Sequence, residues 1–341
     1  MSKERIEWAD AMKAGSILAV VLYHTGIQAD VKQMAYLLCL PAFFFVSGLF
    51  AQPQAGYSQY LRRSLRLLWP YLIFGLLSWV AWFFIGRRYG SDADEAVAWW
   101  KPLWGMVVGR SEGLIQNVPL WFLPCLIMVE WLYYFVTRVP NKWLWPCTIV
   151  LSIAGYGIGQ VLGWHLPWSI DTAMTILPLY VLGHETRSWC SRIPAQLSVL
   201  PGIITWLAIC IGVGAIGHLN PGIKLSDSEY GNPLYFYVGE VLVVGLWYLT
   251  ALGIGRIPYL SRAMHWLGKQ TLWILCLHMP LFGAIKGALL VVGVPLSFYN
   301  TNAGSLLLWA GSLGISFPLI VLINRLTNVL NARTPRGCPD A

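Results

Sequence analysis

Residues 6–26, IEWADAMKAGSILAVVLYHTG, place Asp10, Lys13 and His24 inside what otherwise reads as a membrane-spanning helix. Charged or titratable groups in hydrocarbon cost a few kcal/mol each on insertion scales, so they face a bundle interior or a polar cavity. At ~100° per residue, Lys13, Ile17, Val20 and His24 fall on one stripe. At ~1.5 Å per residue, Lys13 and His24 are also ~16 Å apart along the axis, which rules out direct contact on a straight helix. The stripe therefore points to a shared cavity rather than to a Lys/His pair.

The rest of the chain fits a membrane setting. Of its 341 residues 57% are hydrophobic and only 11% charged, far from the balance of an ordinary soluble domain. At roughly 20 residues per crossing, the expected fold class is all-α, a polytopic membrane protein of about ten helices. The candidate spans are 8–28, 34–52, 67–86, 119–137, 143–163, 169–184, 198–217, 234–255, 270–292 and 303–324. They are expected to form a single transmembrane domain over 1–330, with a short cytoplasmic tail at 331–341. No internal repeat is visible, which separates the chain from repeat-built transporters.

The formal charge of +8 invites a nucleic-acid reading, but the basic residues lie between apolar runs and not on one soluble face. Nucleic acid is therefore excluded as a partner. With both termini in the cytoplasm, 16 of the 23 Lys and Arg fall on the inside. The long external connection 88–118 also holds Asp92, Asp94, Glu95 and Glu112, and it is long enough for a lid or interfacial segment. Lys13 and the acidic Glu4, Glu7 and Asp10 argue against a cleaved signal, so the first helix is expected to be retained. The seven cysteines show no metal-site spacing and read as small hydrophobes. No metal is expected.

His24 is the sharpest candidate for chemistry, since an imidazole titrates near neutrality and is the usual base toward an attacking hydroxyl. The bland alternative is a packing histidine bonded to a backbone carbonyl. Asp10 and Lys13 have ion-pair spacing near the cytoplasmic end, where Lys13 alone would read as a snorkelling side chain. Arg63 and Arg66 follow the positive-inside pattern and also suit anionic groups at a cavity mouth. His278 is a second intramembrane imidazole, followed by Pro280, whose missing N–H frees a carbonyl. Glu130 and Glu240 lie within spans, as cavity-lining groups or halves of buried pairs, and Asp171 and Lys286 lie near outer span ends. Trp121 is an interfacial anchor or lines the same cavity. No P-loop, GxSxG or HExxH points to another enzyme class.

Several stretches together resemble the acyltransferase-3 family of integral membrane O-acyltransferases. Asp10-x-x-Lys13-x10-His24 resembles its first-helix signature, with Lys13 where many relatives have Arg. PAFFFVSGLF (residues 41–50), Arg63-Ser-Leu-Arg66, Pro119-Leu-Trp121-Phe122-Leu123 and LGKQTLWILCLHMPLF (residues 267–282) follow in the family's order, over roughly residues 6–325. Cys276 departs from the pattern, standing where an aromatic is frequent.

The resemblance implies transfer of an acyl group, most often acetyl, from cytoplasmic acetyl-CoA to a hydroxyl of an envelope carbohydrate or lipid-linked glycan. The setting would be a bacterial-type inner (cytoplasmic) membrane. It also implies that Arg63 and Arg66 hold the donor's phosphates, that His24 acts as base or transient acyl carrier with His278 beside it, and that Lys13, oriented by Asp10, stabilises charge on the donor or the thiolate. No soluble transferase domain is expected after the last span. The competing reading is a multi-pass transporter or flippase using the buried polar residues as a substrate or proton path. A catalytically silent scaffold would leave His24 and His278 unexplained.

Overall fold

The computed structural model describes residues 7–89, 97–192 and 198–333, with side chains in the last helix described to residue 325. Lys3, Glu4, Arg5, Asp92, Asp94, Glu95, Arg336, Cys338, the side chain of Arg333 and the tail from residue 334 lie outside this set. Among the described residues the chain is helical, with one isolated antiparallel bridge between Lys224 and Glu229. The helices are α1 (Glu7–Tyr23), α2 (Ala29–Cys39), α3 (Pro41–Leu49), α4 (Tyr57–Ala81), α5 (Arg87–Tyr89), α6 (Lys101–Val108) and α7 (Phe122–Val136). They continue as α8 (Leu144–Tyr156), α9 (Ile170–Arg192), α10 (Val199–Leu219), α11 (Pro233–Gly255), α12 (Pro258–Lys269), α13 (Thr271–Val291) and α14 (Asn302–Arg333).

Among the described residues eight segments are long and apolar enough to cross a membrane: Ala29–Leu49, Tyr57–Gly86, Val118–Val136, Asn141–Val161, Val199–Leu219, Pro233–Gly255, Thr271–Val291 and Asn302–Arg325. The expected spans at 8–28 and 169–184 fall outside this set for a physical reason. Helix α1 has 17 residues and carries Asp10 and Lys13, while α9 carries Asp171, His184, Glu185, Arg187 and Arg192. Both are deeply buried, with Ala9, Met12, Ala14 and Ile17 of α1 and Asp171, Thr172, Ala173, Leu177 and Tyr180 of α9 at 0% exposure. A helix surrounded by protein need not be apolar all round, whereas one facing lipid must be.

These two helices are the hubs of the bundle. Helix α1 packs against α2, α3, α11, α12, α13 and α14, and α9 against α3, α7 and α8, so α3 joins the two groups. The joint depends on Gly48, the glycine of the Ser-Gly motif ending, because a Cβ there would collide with the Tyr180 carbonyl of α9. Gly268 in LGKQTL plays the same part at the other hub, against the Asp10 backbone of α1. Helix α10 lies at the periphery on α11, with Ile211 75% exposed.

Two departures from the expected boundaries matter for the site. Helix α1 stops at Tyr23, so His24 sits in the closing turn, its N–H 3.3 Å from the Val20 carbonyl. The second span begins at Ala29 and breaks at Leu40, where Pro41 starts α3 without an N–H to donate. The described part of the long connection packs into the protein through Met106, Arg110, Ser111, Leu114 and Asn117, all buried, while Trp99, Trp100, Trp104 and Val107 stay exposed.

Candidate active site

His24 and His278 meet. Their ring centroids are 5.4 Å apart with the planes at 47°. His278, on α13, is fully buried, and its Nδ1 lies 2.9 Å from the Ile274 carbonyl. A carbonyl can only accept, so Nδ1 carries the proton and the neutral ring keeps its lone pair on Nε2. That Nε2 has no hydrogen-bond partner.

His278 is held in place by a residue the sequence did not single out. Pro280 cannot donate to the carbonyl four residues earlier, that of Cys276. Asn117, itself 0% exposed, fills the gap: its Nδ2 donates to the Cys276 carbonyl at 3.0 Å and to Ser78 Oγ on α4 at 3.1 Å. The signal available in the sequence was the freed carbonyl, which had to find a donor somewhere. Only the fold shows which one.

His24 lines a cavity of about 190 Å³ together with Tyr23, Lys32, Tyr36, Trp121 and Ser226. Trp121 is thus a lining residue. The cavity's roof is the α10–α11 connection, whose Ser226 N–H donates to Tyr36 Oη at 3.1 Å. That connection is anchored by a buried charge network. Arg110 contacts Glu112 through Nε at 2.8 Å and Asp171 through Nη1 at 3.3 Å, while Asp171 also accepts from Ser228 Oγ and from the Leu166 N–H at 3.2 Å. Asp227 accepts from Ser226 Oγ at 2.8 Å, Ser111 Oγ at 3.1 Å and Lys224 Nζ at 3.2 Å. Burial pushes its carboxyl up, but the hydrogen bonds from Ser226 and Lys224 outweigh that and hold it below the ordinary carboxylate range. A larger apolar groove of about 340 Å³ between α10 and α11 shares no lining residue with this cavity and, Arg256 apart, has no titratable lining.

The remaining candidates gather at the other end of α1, the Glu7 end. Lys13 Nζ is 2.7 Å from Asp10 Oδ1, and Asp10 Oδ2 is 3.0 Å from His265 Nδ1 on α12. His265 went unnoticed in the sequence because α12 reads there as a connection between spans. The shared cavity expected from the Lys13–Ile17–Val20–His24 stripe is therefore not what forms: Val20 and His24 line the cavity, whereas Lys13 and Asp10, too far along α1 to reach it, pair with each other and with His265.

Arg63 and Arg66 are split too. Arg63 turns inward, with Nε 2.7 Å from Glu130 Oε1 on α7 and its Nη atoms at 3.4 and 3.5 Å from the Phe50 and Ser47 carbonyls. Arg66 is exposed. Around the Arg63–Glu130 pair lie Tyr133, Tyr180 and His184, with Tyr133 at 5.1 Å from Tyr180 and 5.7 Å from His184 between ring centroids. Glu130 Oε2, Tyr133 Oη, Tyr180 Oη and His184 Nδ1 are all buried without a hydrogen-bond partner. Glu240, on α11, is 2% exposed with Oε2 likewise unpartnered, and it is not among the residues lining the His24 cavity.

An acyltransferase domain family model matches residues 6–325, nearly the whole chain. The chain belongs to the acyltransferase-3 family. Comparison with curated proteins and with solved structures returns no match. Membership makes the protein a multi-pass membrane acyltransferase, of the class that moves acyl groups other than aminoacyl groups. The family motifs acquire physical reasons here: the Ser-Gly ending of α3 makes the α3–α9 contact, and the Trp121 stretch and His278 helix converge on His24. Among the described residues no His, Cys, Asp or Glu cluster has metal-site geometry.

Proposed function

We propose that the protein transfers an acyl group, acetyl in the first instance, from cytoplasmic acyl-CoA to a hydroxyl of an envelope carbohydrate or lipid-linked glycan. It would do so in a bacterial-type inner membrane with both termini inside. The observation that carries this reading is the His24–His278 contact beside a cavity at one end of α1, with the cationic residues Lys13 and Arg63 toward the other. Acceptor and donor then approach His24 from opposite sides.

In the reaction His24 takes the proton of the acceptor hydroxyl as its oxygen bonds to the thioester carbonyl carbon. The C–S bond breaks, and the proton leaves with the sulfur as the free thiol of CoA. His278, its Nε2 lone pair unpartnered, sits against the base that becomes cationic in this step. Lys13, ~16 Å from His24 along the helix and held by Asp10, serves the donor's charged groups rather than the departing sulfur. Arg66 is exposed and open to phosphate, whereas Arg63 shapes the entrance through Glu130.

The test is incubation of the purified protein with labelled acetyl-CoA and envelope glycans, followed by mass spectrometry. An acetyl ester on a glycan hydroxyl is expected, and its absence with every glycan class overturns the reading. A cysteine replacing Lys224 should be labelled only from outside the membrane. Labelling only from the cytoplasm would reverse the orientation.

A further inference from the structure

The cavity beside His24 carries a cation that the acyl-transfer step does not use. Lys32, on α2, lines it, with Nζ 5.4 Å from the centroid of the Tyr23 ring. Among the described residues no carboxylate lies within ion-pair distance of this ammonium. Asp227, in the roof, is already engaged by Lys224, Ser226 and Ser111.

Below Lys32 the wall is aromatic. The Tyr23 ring lies 4.6 Å from Tyr36 and 4.8 Å from His24, and Trp121 and Phe122 add two more aromatic rings to the lining. Placed end to end, these contacts put the Lys32 ammonium no more than about 10 Å from the His24 ring. Tyr36 is fixed by the Ser226 N–H, so the wall is set before anything binds. At about 190 Å³ the cavity is smaller than a drug-sized site of ~300–1,000 Å³, which suits one ring of a glycan and not a longer stretch. A pyranose offers an apolar C–H face to aromatic rings and hydroxyls at its edge. A half-buried ammonium with no described carboxylate in ion-pair reach, placed near one edge, favours a ring with negative charge there.

We propose that Lys32 is a specificity-determining residue that selects an acceptor bearing a carboxylate or phosphate on the acylated ring or its neighbour. The ring lies along Tyr23 and Tyr36, the anion meets Lys32, and a hydroxyl on the opposite edge faces His24. This rests on the acyl-transfer reading for the identity of the acceptor but not for its test, which needs no donor and no turnover.

The experiment measures equilibrium binding of methyl glucuronide, glucose 6-phosphate and neutral methyl glucoside to the detergent-solubilised full chain, by titration calorimetry without acyl donor. Wild type should bind one or both anionic sugars about ten-fold more tightly than the glucoside. The two anionic arms separate a carboxylate from a phosphate preference. Lys32→Gln should bring the anionic and neutral sugars to within about two-fold, and Lys32→Glu should reverse the order. The wild-type preference should weaken with added salt, as a charge contact must. No saturable binding of either anion by wild type, or a preference that survives in Lys32→Gln, overturns the proposal. So does a preference that follows the anionic lipid content of reconstituted vesicles and not the sugar. Loss of acyl transfer in His24→Gln with this binding order intact upholds it; failed transfer to every acceptor in wild type removes the acyl-transfer reading and leaves the selectivity standing.

Discussion

The two ends of α1 carry polar clusters of opposite character. At the Lys32 end, Asp171 is held by Arg110 and Ser228 and Asp227 by Ser111, Ser226 and Lys224, and Arg110 Nη2 is the one atom of Arg110, Asp171, Asp227 and Ser228 left buried and unpartnered. At the Glu7 end, Glu130, Tyr133, Tyr180 and His184 each leave a buried polar atom without a partner around Arg63. A satisfied network rigidifies, whereas an under-satisfied one marks where water or a ligand completes the set. The Lys32 end is thus a fixed roof, and the Glu7 end is where the proposed charged donor would find groups still open to it.

If that contrast is right, removing a partner from the roof is a matter of stability. Arg110→Ala leaves Asp171, 0% exposed, without its cation and should destabilise the protein by about 3–5 kcal/mol, read as a fall in melting temperature in detergent. Arg110→Met combined with Asp171→Asn should recover much of that loss, because no buried charge is then left alone. A loss under ~1 kcal/mol in the single variant would mean that the roof is solvated, and the contrast between the two ends would fail.

Between the two ends, His24 should separate chemistry from packing. His24→Gln keeps a hydrogen-bonding group of similar reach but cannot take up a proton at neutral pH, so turnover should fall by at least about a hundred-fold while melting temperature and donor binding hold. Near-normal turnover would return His24 to a packing role and move the search to His278. At the Glu7 end the two arginines should behave differently. Arg66→Ala should raise the donor KM about ten-fold without loss of stability, as expected for a phosphate contact. Arg63→Ala should lower stability, and Glu130→Gln should restore it, because the variant strands a buried carboxylate. Equal donor effects and unchanged stability in both would make the Glu7 end a simple cationic mouth.

Much of this arrangement is legible in the sequence where a single helix carries the information. The separation of His24 from Asp10 and Lys13 along α1 and the freed carbonyl at Pro280 follow from helix rise and covalent chemistry. What one sequence does not reveal is which distant group answers each local demand. Asn117 answers the carbonyl freed by Pro280, that of Cys276, from 159 positions away, Glu130 takes Arg63 away from its i, i+3 neighbour, and His265 reaches Asp10 from α12. The apolar runs at 8–28 and 169–184 do mark α1 and α9, but a strict length and hydropathy threshold passes over both, because helices surrounded by protein are free to be polar.

The smallest expected effect tests how the roof is held shut. Asp227 has a carboxyl held below its ordinary range, so its unfolded form binds protons more readily than the folded one. Its contribution is therefore present above the ordinary carboxylate range and is lost as pH falls through the lowered folded value. The side chain is 39% exposed, so solvent screening keeps that contribution to a fraction of a kcal/mol, within the ~0–1 of a surface pair. Hydrogen exchange of the amides from Lys224 to Tyr230 should show protection that drops modestly in acid in wild type. In Asp227→Asn, which keeps the shape but accepts through one oxygen and carries no charge, protection should be slightly lower at neutral pH and no longer change across that acid range. Acid-sensitive protection that persists in Asp227→Asn would assign the pH response to another group, and the roof would then rest on Arg110 and Asp171 alone.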